Sequence, residues 1–435
     1  MRIRWWRVVA VVCLCALLTG CGQILAEARN AKPTIVQVAA FAGPESSVLE
    51  ELAPLYEKQT GVKIRFVKFS YDALYTKELQ SIYGKNGIYD VIFMDDPWVP
   101  TFAGGGYLHN LSDFGYRPEG FVKGALQVVQ WPPPRGYPVP KGAQMKPGIY
   151  GLPVTGNVTM FVYRKDWAKK YGIQPDRWTW DDVFRLAEKT TGGGKYGWVM
   201  RSGSGNSAVT DFYPMLLAYG GKYFNDDWTC ALDSPEALRA LTHWVKLFRT
   251  YAPPGSASFG SDAVGNYMAK GKAAAAIMWP SGWANQMDRS KIGFVTVPGV
   301  KQPDGSVLQA PEVGVWSVGI PKNAPHAQEA YRFIRWLADK QQQKRYGSSG
   351  VAVPTRTDVL LDSQLLKKWP YYAAFYDSLE KGRMRPRTPA WPMVEQIFGN
   401  EVVRAELGEI TPQQALRNAC EQIDHYMRLH GYVKK

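Results

Sequence analysis

The sequence predicts an α/β fold, long enough for two domains and finishing in helices. Three observations predict it. The chain has 435 residues, well above the ~100–150 residues of one typical domain. Short β-rich runs alternate with helix-length periodic segments over the first three-quarters, the pattern of βαβ units and a mainly parallel sheet. From Leu360 onward only helical periodicity remains.

Taken in order, Thr34–Phe41 reads as the first strand, followed by a Gly43-Pro44 turn and a helix through Val48, Leu49, Leu52, Leu55 and Tyr56. Gly61 ends that helix, and Val62–Val67 alternates as a second strand. Leu74–Ile82 reads as helix and Tyr89–Met94 as a buried third strand. Asp96 then caps a helix with Pro97 at its first position. The proline-rich stretch Trp131–Pro147 predicts a surface excursion. Further strands are expected at Asn157–Tyr163, Tyr196–Met200, Ala273–Met278, Ile292–Val297 and Val313–Ile320. Helices are expected at Thr179–Thr190, Val209–Tyr219, Pro235–Arg249, Ser261–Lys270 and His326–Leu337. The helical finish comprises Leu360–Trp369, Tyr371–Leu379, Val394–Glu406 and Pro412–Leu429.

Ahead of these elements, Arg2, Arg4 and Arg7 precede an apolar run from Val8 to Leu18, with no acidic residue before Glu27. That is the build of a secretory signal peptide, and the run is far short of the ~20 apolar residues that span a bilayer. Leu18-Thr19-Gly20-Cys21 resembles a bacterial lipobox. It implies a signal peptide over 1–20, a lipid on Cys21, and a tether over 21–33. The expected location is the outer face of a bacterial cell membrane, held by that lipid.

Hydrophobic residues make up 46% of the chain and charged residues 21%, a globular balance that excludes a disordered chain. The formal charge is +14, and loss of the three leader arginines leaves +11. The basic residues are scattered without a run of five, which reads as a solvated surface and not as a nucleic-acid footprint. Beyond the leader and Cys21, Cys230 and Cys420 remain, too few for a disulfide framework. They read as two free buried thiols, with pairing left open for want of geometry.

Several chemical motifs fail on context. Gly192-Gly-Gly-Lys-Tyr-Gly197 matches GxGxxG, but a helix precedes it and a strand is expected after it, the reverse of a dinucleotide site. Gly265–Lys272 departs from a P-loop in its spacing and in Ala273. His425 and His430 are five apart and no HExxH occurs, so no metal or cofactor is expected. No serine sits in a GxSxG elbow. The sequence predicts a binder and not an enzyme.

Five stretches in order carry a more specific likeness. They are Tyr89–Trp98 with Phe102 and Gly106-Tyr107-Leu108; Ile149–Pro153 with Asn157 and Tyr163–Asp166; Thr179–Asp182; Met268–Met278 with Gly282-Trp283; and Gly314–Pro321 with the helix to Leu337. Together they resemble the extracellular solute-binding proteins of ABC sugar importers, the maltose-binding-protein family. The resemblance implies a two-lobed periplasmic-binding-protein-like fold of type II, with a hinge between the lobes. It implies an N-terminal lobe of 34–153 plus 296–338 and a C-terminal lobe of 157–293 plus 341–435. The expected crossings are Val154–Asn157, Ile292–Val297 and Ala338–Lys340. A monomer that captures a sugar and meets the transmembrane subunits of an ABC importer follows from the same likeness. Asn157 stands where maltose-binding protein carries a carboxylate, and the proline-rich stretch departs from the family pattern.

A sugar site needs carboxylate or amide partners and flat aromatic walls, and the chain has 16 Trp and 24 Tyr. Ligands of open α/β sheets sit beyond the C-terminal strand ends. That rule selects Glu45, Tyr71, Asp95, Asp96 and Trp98, with Asp96 also a helix cap and Trp98 also a packing residue. The resemblance adds Asn157, Trp283 and Trp316, with Trp279 as ligand contact or core. Asp211 is ligand contact or simple cap, and Trp391 is exposed loop or cleft wall. Two alternatives stand beside the sugar: an anionic solute (an oligouronide or glycerol phosphate ester), motivated by the charge, and a lipid-anchored glycosidase using Asp95 with Glu312.

Overall fold

The computed structural model describes residues 33–133, 146–203, 205–280 and 287–433. The leader, Cys21, most of the proline-rich stretch and Trp283 lie outside the described residues. Two strand–helix repeats open the fold: β1 (Ile35–Phe41), α1 (Pro44–Thr60), β2 (Lys63–Phe69), α2 (Tyr71–Tyr83) and then β3 (Val91–Met94). All four residues of β3 are buried, as its unbroken apolar run requires of a central strand. Gly61 ends α1 at φ 75°, with its N–H on Glu57 O. Only glycine enters that left-handed region without strain.

After β3 come β4 (Leu152–Thr155), β5 (Met160–Arg164), α3 (Trp180–Thr190), α4 (Asn206–Ala218), α5 (Pro235–Lys246), β6 (Ala275–Met278), β7 (Ile292–Thr296), β8 (Glu312–Val313) and β9 (Trp316–Gly319). The closing helices include α6 (Ala327–Leu337), α7 (Lys340–Ser348), α8 (Tyr372–Lys381), α9 (Trp391–Leu407) and α10 (Pro412–Leu429), with the short β10 (Arg383–Met384) before α9. One sheet has the order β2-β1-β3-β9-β4 and the other β6-β5-β7. Pairing is parallel among β1, β2 and β3, where each connection carries a helix. Strand β9 returns from the other lobe without a crossover helix and runs antiparallel to β3 and β4. The second sheet is antiparallel throughout, so a mainly parallel sheet is an overstatement. Tyr196–Met200 forms no strand, only a bridge from Tyr196 to Ala273.

Exchange between the sheets occurs at 156–159 and at 297–315, with β8 and β10 pairing side by side near the third passage. Strand β7 belongs wholly to the second sheet, which moves the second passage beyond the expected Ile292–Val297. Tyr346 of α7 and Tyr372 and Phe375 of α8 join the core centred on the first sheet. Helix α8 also packs on the second sheet, where Ser378 meets Thr296 of β7 at 3.1 Å, and the second core takes Trp391, Phe398 and Ile423 of α9 and α10.

Cys230 and Cys420 form a disulfide, which overturns the reading of two free thiols. Folding α10 back against the loop after α4 brings their Cα atoms to 5.2 Å across 190 residues of sequence, within the span a disulfide bridges. That proximity depends on tertiary packing and leaves no local sign.

Candidate functional site: the cleft between the lobes

The C-terminal ends of β1, β2 and β3 place Phe41, Glu45, Tyr71 and Asp95 along one wall of a cleft, with Trp316 of β9 among them. Arg201, Asn206, Thr210 and Trp279 face them from the second lobe. Asn157 and Arg385 come from the connecting passages. The space between these side chains, counted with the solvent it opens to, is about 480 Å³.

Asp95 is the cap of the short turn that follows β3, its Oδ1 accepting from Asp96 N at 2.9 Å. Asp96 is not the cap, contrary to expectation, because the turn begins one residue earlier. The Asp96 carboxylate is fully buried instead, pairing with Arg385 behind the cleft wall. Arg387 donates to the Asp96 carbonyl at 2.5 Å and the Val128 carbonyl at 2.6 Å. These two arginines thus bind the third passage to the end of β3.

A ring of polar contacts joins both lobes around Asp95. Tyr71 donates its hydroxyl to Asp95 Oδ2 at 2.8 Å, and Arg385 Nη2 donates to both Asp95 oxygens at 2.9 Å. Arg385 Nη1 lies 3.6 Å from Glu395 Oε1. Asn206 Nδ2 donates to Glu395 Oε1 at 3.0 Å and reaches the Tyr71 hydroxyl at 3.5 Å. Asn206 opens α4 because Gly205 before it adopts φ 71°, ψ −130°, a region essentially reserved for glycine. A Cβ on Gly399 of α9 would lie 2.4 Å from the Gly205 backbone, so two glycines set this close approach.

Arg201 sits on Asp211, with Nε 3.0 Å from Oδ1, and Nη2 also donates to Thr210 Oγ1 at 2.6 Å. Asp211 is fully buried and does not line the cleft; it holds the arginine that does. The Arg201 guanidinium lies 5.9 Å from the Trp279 ring. Trp279 in turn stands against Gly314, where a Cβ would come within 2.5 Å of the ring. Asn157 is 8% exposed, and its Oδ1 has no hydrogen-bond partner among the described residues.

Burial pushes the carboxyls of Asp96 and Glu395 up to about 7, against the opposing pull of Arg385. Glu312, ion-paired to Arg385 Nε at 3.1 Å, is pushed well up by the same burial. Burial works against the charge of Arg385, but Asp95, Asp96 and Glu312 outweigh it and keep it protonated. Each cleft arginine is thus matched by buried carboxyls, and the site carries no uncompensated positive charge.

A sequence model of bacterial extracellular solute-binding proteins matches residues 42–344. The chain belongs to that family. This solute-binding protein is 24% identical over 408 residues to a probable amino-acid ABC transporter periplasmic-binding protein of Sinorhizobium fredii, covering 92% of this chain and 90% of the relative. A mannitol-binding protein of Pseudomonas aeruginosa is 24% identical over 329 residues, 67% of this chain and 72% of that one. Among solved structures, an ABC transporter solute-binding protein of Agrobacterium radiobacter in complex with ribitol superimposes with a TM-score of 0.78 at 25% identity, covering 91% of this chain and all of the other. The fold is the two-lobed one of periplasmic binding proteins, and the protein acts outside the cytoplasm as the solute-binding component of an ABC transporter. No helix among the described residues is long and apolar enough to cross a membrane.

Of the residues expected in the site of this solute-binding protein, Glu45, Tyr71, Asp95, Asn157, Trp279 and Trp316 line the cleft. Trp316 stacks with Phe41 and with Phe93, at ring separations of 5.1 and 5.4 Å, and is 5% exposed. Trp98 lies behind it, packed on Tyr71, Tyr75 and Trp316. Trp391 is neither exposed loop nor cleft wall: it opens α9 inside the second core, edge-on to Tyr223. Its flanking prolines mark a helix start. Trp283 and the lipobox cysteine fall outside the described residues. Sequence reasoning missed Phe41, Arg201, Asn206, Thr210, Ser261 and Arg385. Phe41 ends a predicted strand and was accessible to the strand-end rule; the others carry no local signal.

Proposed function

We propose that this solute-binding protein takes a neutral sugar or polyol in the interlobe cleft, acts as a monomer without catalysis, and presents its ligand to ABC importer subunits from a lipid on Cys21. The observation that carries this reading is the buried amide of Asn157, with an unpartnered acceptor, in a cleft that also holds Asp95 and the Trp279 ring. Hydroxyl groups donate to such an amide and carboxylate, and sugar C–H faces pack on aromatic surface. The mannitol-binding relative and the ribitol complex support the same ligand class.

An anionic solute has less support, because Arg201 and Arg385 are already neutralised by Asp211, Asp95 and Asp96. A glycosidase has less again. Glu312, its second carboxyl, is fully buried against Arg385 and does not line the cleft.

Thermal-shift measurements with ribitol, D-mannitol, D-tagatose and maltose, beside glycerol 3-phosphate, galacturonate and glutamate, test the ligand class. A ligand at about 100 times its Kd should add about 2.7 kcal/mol of stability. Stabilisation by acidic solutes alone would refute a neutral ligand. For the anchor, Cys21→Ala should yield unprocessed precursor or shed protein, and a processed form still held firmly on membranes would refute the lipidation.

A further inference from the structure

Strand β1 spans the depth of the first lobe. Its last residue, Phe41, lines the cleft, and its first, Ile35, lies about 20 Å away at the opposite base, at ~3.3 Å per residue. Ile35 is 44% exposed, and Lys63 opens β2 level with it in the parallel register. On the other side Asp90 N donates to the Gln37 carbonyl and Gln37 N to the Asp90 carboxylate, both at 2.9 Å. Two residues ahead of this pair stand Ile35 and Ile88, and Ile88 is 55% exposed. Ile88 N donates to Ser81 Oγ at 2.8 Å, which ties it to the end of α2, where Tyr83 is 62% exposed. Asn323, next to Lys322, closes that helix end, its Nδ2 donating to the carbonyls of Ser81, Ile82 and Gly84.

Three properties set this base apart. Ile35, Tyr83 and Ile88 gather large apolar side chains at one edge of the lobe, whereas exposed ones scattered singly are ordinary. Lys58, Lys63, Lys85 and Lys322, in the turns that surround them, are exposed and form no ion pair among the described residues. The carboxylates of the same turns are engaged by the backbone: Asp90 is buried and accepts from Gln37 N and His326 N, and Glu57 accepts from Ile64 N at 2.9 Å. The base is thus apolar and basic together. The chain also enters the fold here. Twelve residues, 22–33, separate Cys21 from Thr34, and they reach at most about 45 Å at full extension.

We propose that this base docks on an anionic phospholipid surface, with Ile35, Tyr83 and Ile88 entering the interface and the four lysines meeting headgroup phosphates. Apolar side chains flanked by lysines are the chemistry of interfacial binding, and tyrosine suits a boundary that is apolar on one side and wet on the other. Three such side chains hold a membrane weakly by themselves. A lipid on Cys21, as proposed above, keeps the base within reach of the surface and makes the second contact intramolecular. Docked in this way, the first lobe turns its cleft away from the membrane, because the base and the cleft lie at opposite ends of β1.

Lysine footprinting by amine labelling and mass spectrometry tests it. In the chain from Cys21 onward, Cys21 carries the one thiol outside the Cys230–Cys420 disulfide, so it can be coupled to a maleimide lipid in vesicles. The anchor is then imposed chemically, and the result does not depend on whether a cell acylates Cys21. On vesicles containing phosphatidylglycerol, Lys58, Lys63, Lys85 and Lys322 should react about threefold or more slowly than on pure phosphatidylcholine, the scale of a basic residue at an anionic surface. The exposed Lys170, Lys270 and Lys301 of the second lobe should react equally on both. Ile35→Ser with Ile88→Ser should remove the protection. Lys63→Glu with Lys85→Glu, both at exposed positions, should do the same at Lys58 and Lys322, and decides the matter if the isoleucine variant misfolds. Equal reactivity on the two vesicles overturns the proposal, as does protection that survives the lysine variant or extends evenly to the second lobe. Protection on neutral vesicles that grows with protein density would assign the face to a second copy of the chain and overturns it too. Failure of the Cys21 reading would appear instead as an unacylated protein in cells, with this footprint unchanged.

Discussion

Arg385 Nη2 lies 2.9 Å from each carboxylate oxygen of Asp95, although 290 residues separate the two in sequence. The same guanidinium meets Asp96, Glu312 and Glu395. One side chain from the third passage therefore organises the end of β3, the passage at β8 and the start of α9. Asp95 owes its position at the cleft to it.

Removing that charge should be severe. Arg385→Leu leaves four carboxyls grouped in a dry interior, and breaking a buried ion pair by deleting one partner costs about 3–5 kcal/mol. Urea unfolding near neutral pH should show this loss, and a smaller one in mild acid, where the carboxyls can take up protons. An equal loss at both pH values would contradict the assignment.

Stability should fall as pH rises across the neutral range. Burial lifts Asp96 and Glu395 to about 7 and Glu406 to about 8, whereas unfolded carboxyls titrate near ~4. Between those limits the folded state holds protons that the unfolded state has released, so raising the pH favours unfolding. His109 and His243, both lowered by burial, act in the opposite sense below their ordinary range. The three carboxyls outweigh them. Unfolding free energy should be a few kcal/mol greater near about pH 5.5 than near about pH 8, at roughly 1.4 kcal/mol per pKa unit. A profile that rises toward alkaline pH would be inconsistent with these buried acids.

Asn157→Ala separates ligand contact from structural support. Its Oδ1 bonds to nothing among the described residues, so melting of the ligand-free protein should be unchanged or slightly raised. Affinity for the cleft ligand should fall by about 1–2 kcal/mol, the scale of one hydrogen bond with its partner left buried. A lowered melting temperature with unchanged affinity would assign Asn157 to the scaffold.

Asn206 of the second lobe reaches the Tyr71 hydroxyl of the first. Asn206→Ala removes the contact to Tyr71 across the cleft, leaving the ligand-free protein more open on average. Small-angle scattering should report a larger radius of gyration without ligand, restored at saturating ligand. The affinity loss should be about 1 kcal/mol, because closure must then be driven by ligand contacts alone. Identical scattering curves would show that this contact does not hold the lobes together.

The order of strands and helices was legible because period and turn residues are local: Gly61 closes α1 and Thr179 caps α3 where the sequence places them. Half of one cleft wall was legible too, since Glu45, Tyr71 and Asp95 follow from strand ends alone. What escaped depends on distance along the chain. Nothing near Arg385 announces Asp95, and nothing near Cys230 announces Cys420. Asp95 keeps its expected place in the cleft and also takes the cap expected of Asp96, because the turn begins one residue earlier. Trp391 was misplaced because prolines on both sides resemble a loop when they in fact introduce a buried helix.

The central claim is that the cleft takes a neutral, hydroxyl-rich solute through Asp95 and Asn157. Calorimetric titration tests it most directly, with ribitol, D-mannitol, D-tagatose and maltose set against glycerol 3-phosphate and glutamate, on the wild type and on Asp95→Asn. At least one neutral solute should bind in a high-affinity phase that is insensitive to added salt, and Asp95→Asn should weaken it about tenfold, the scale of a charge-assisted hydrogen bond. Binding confined to the phosphate ester or the amino acid, or neutral binding untouched by Asp95→Asn, would contradict the account.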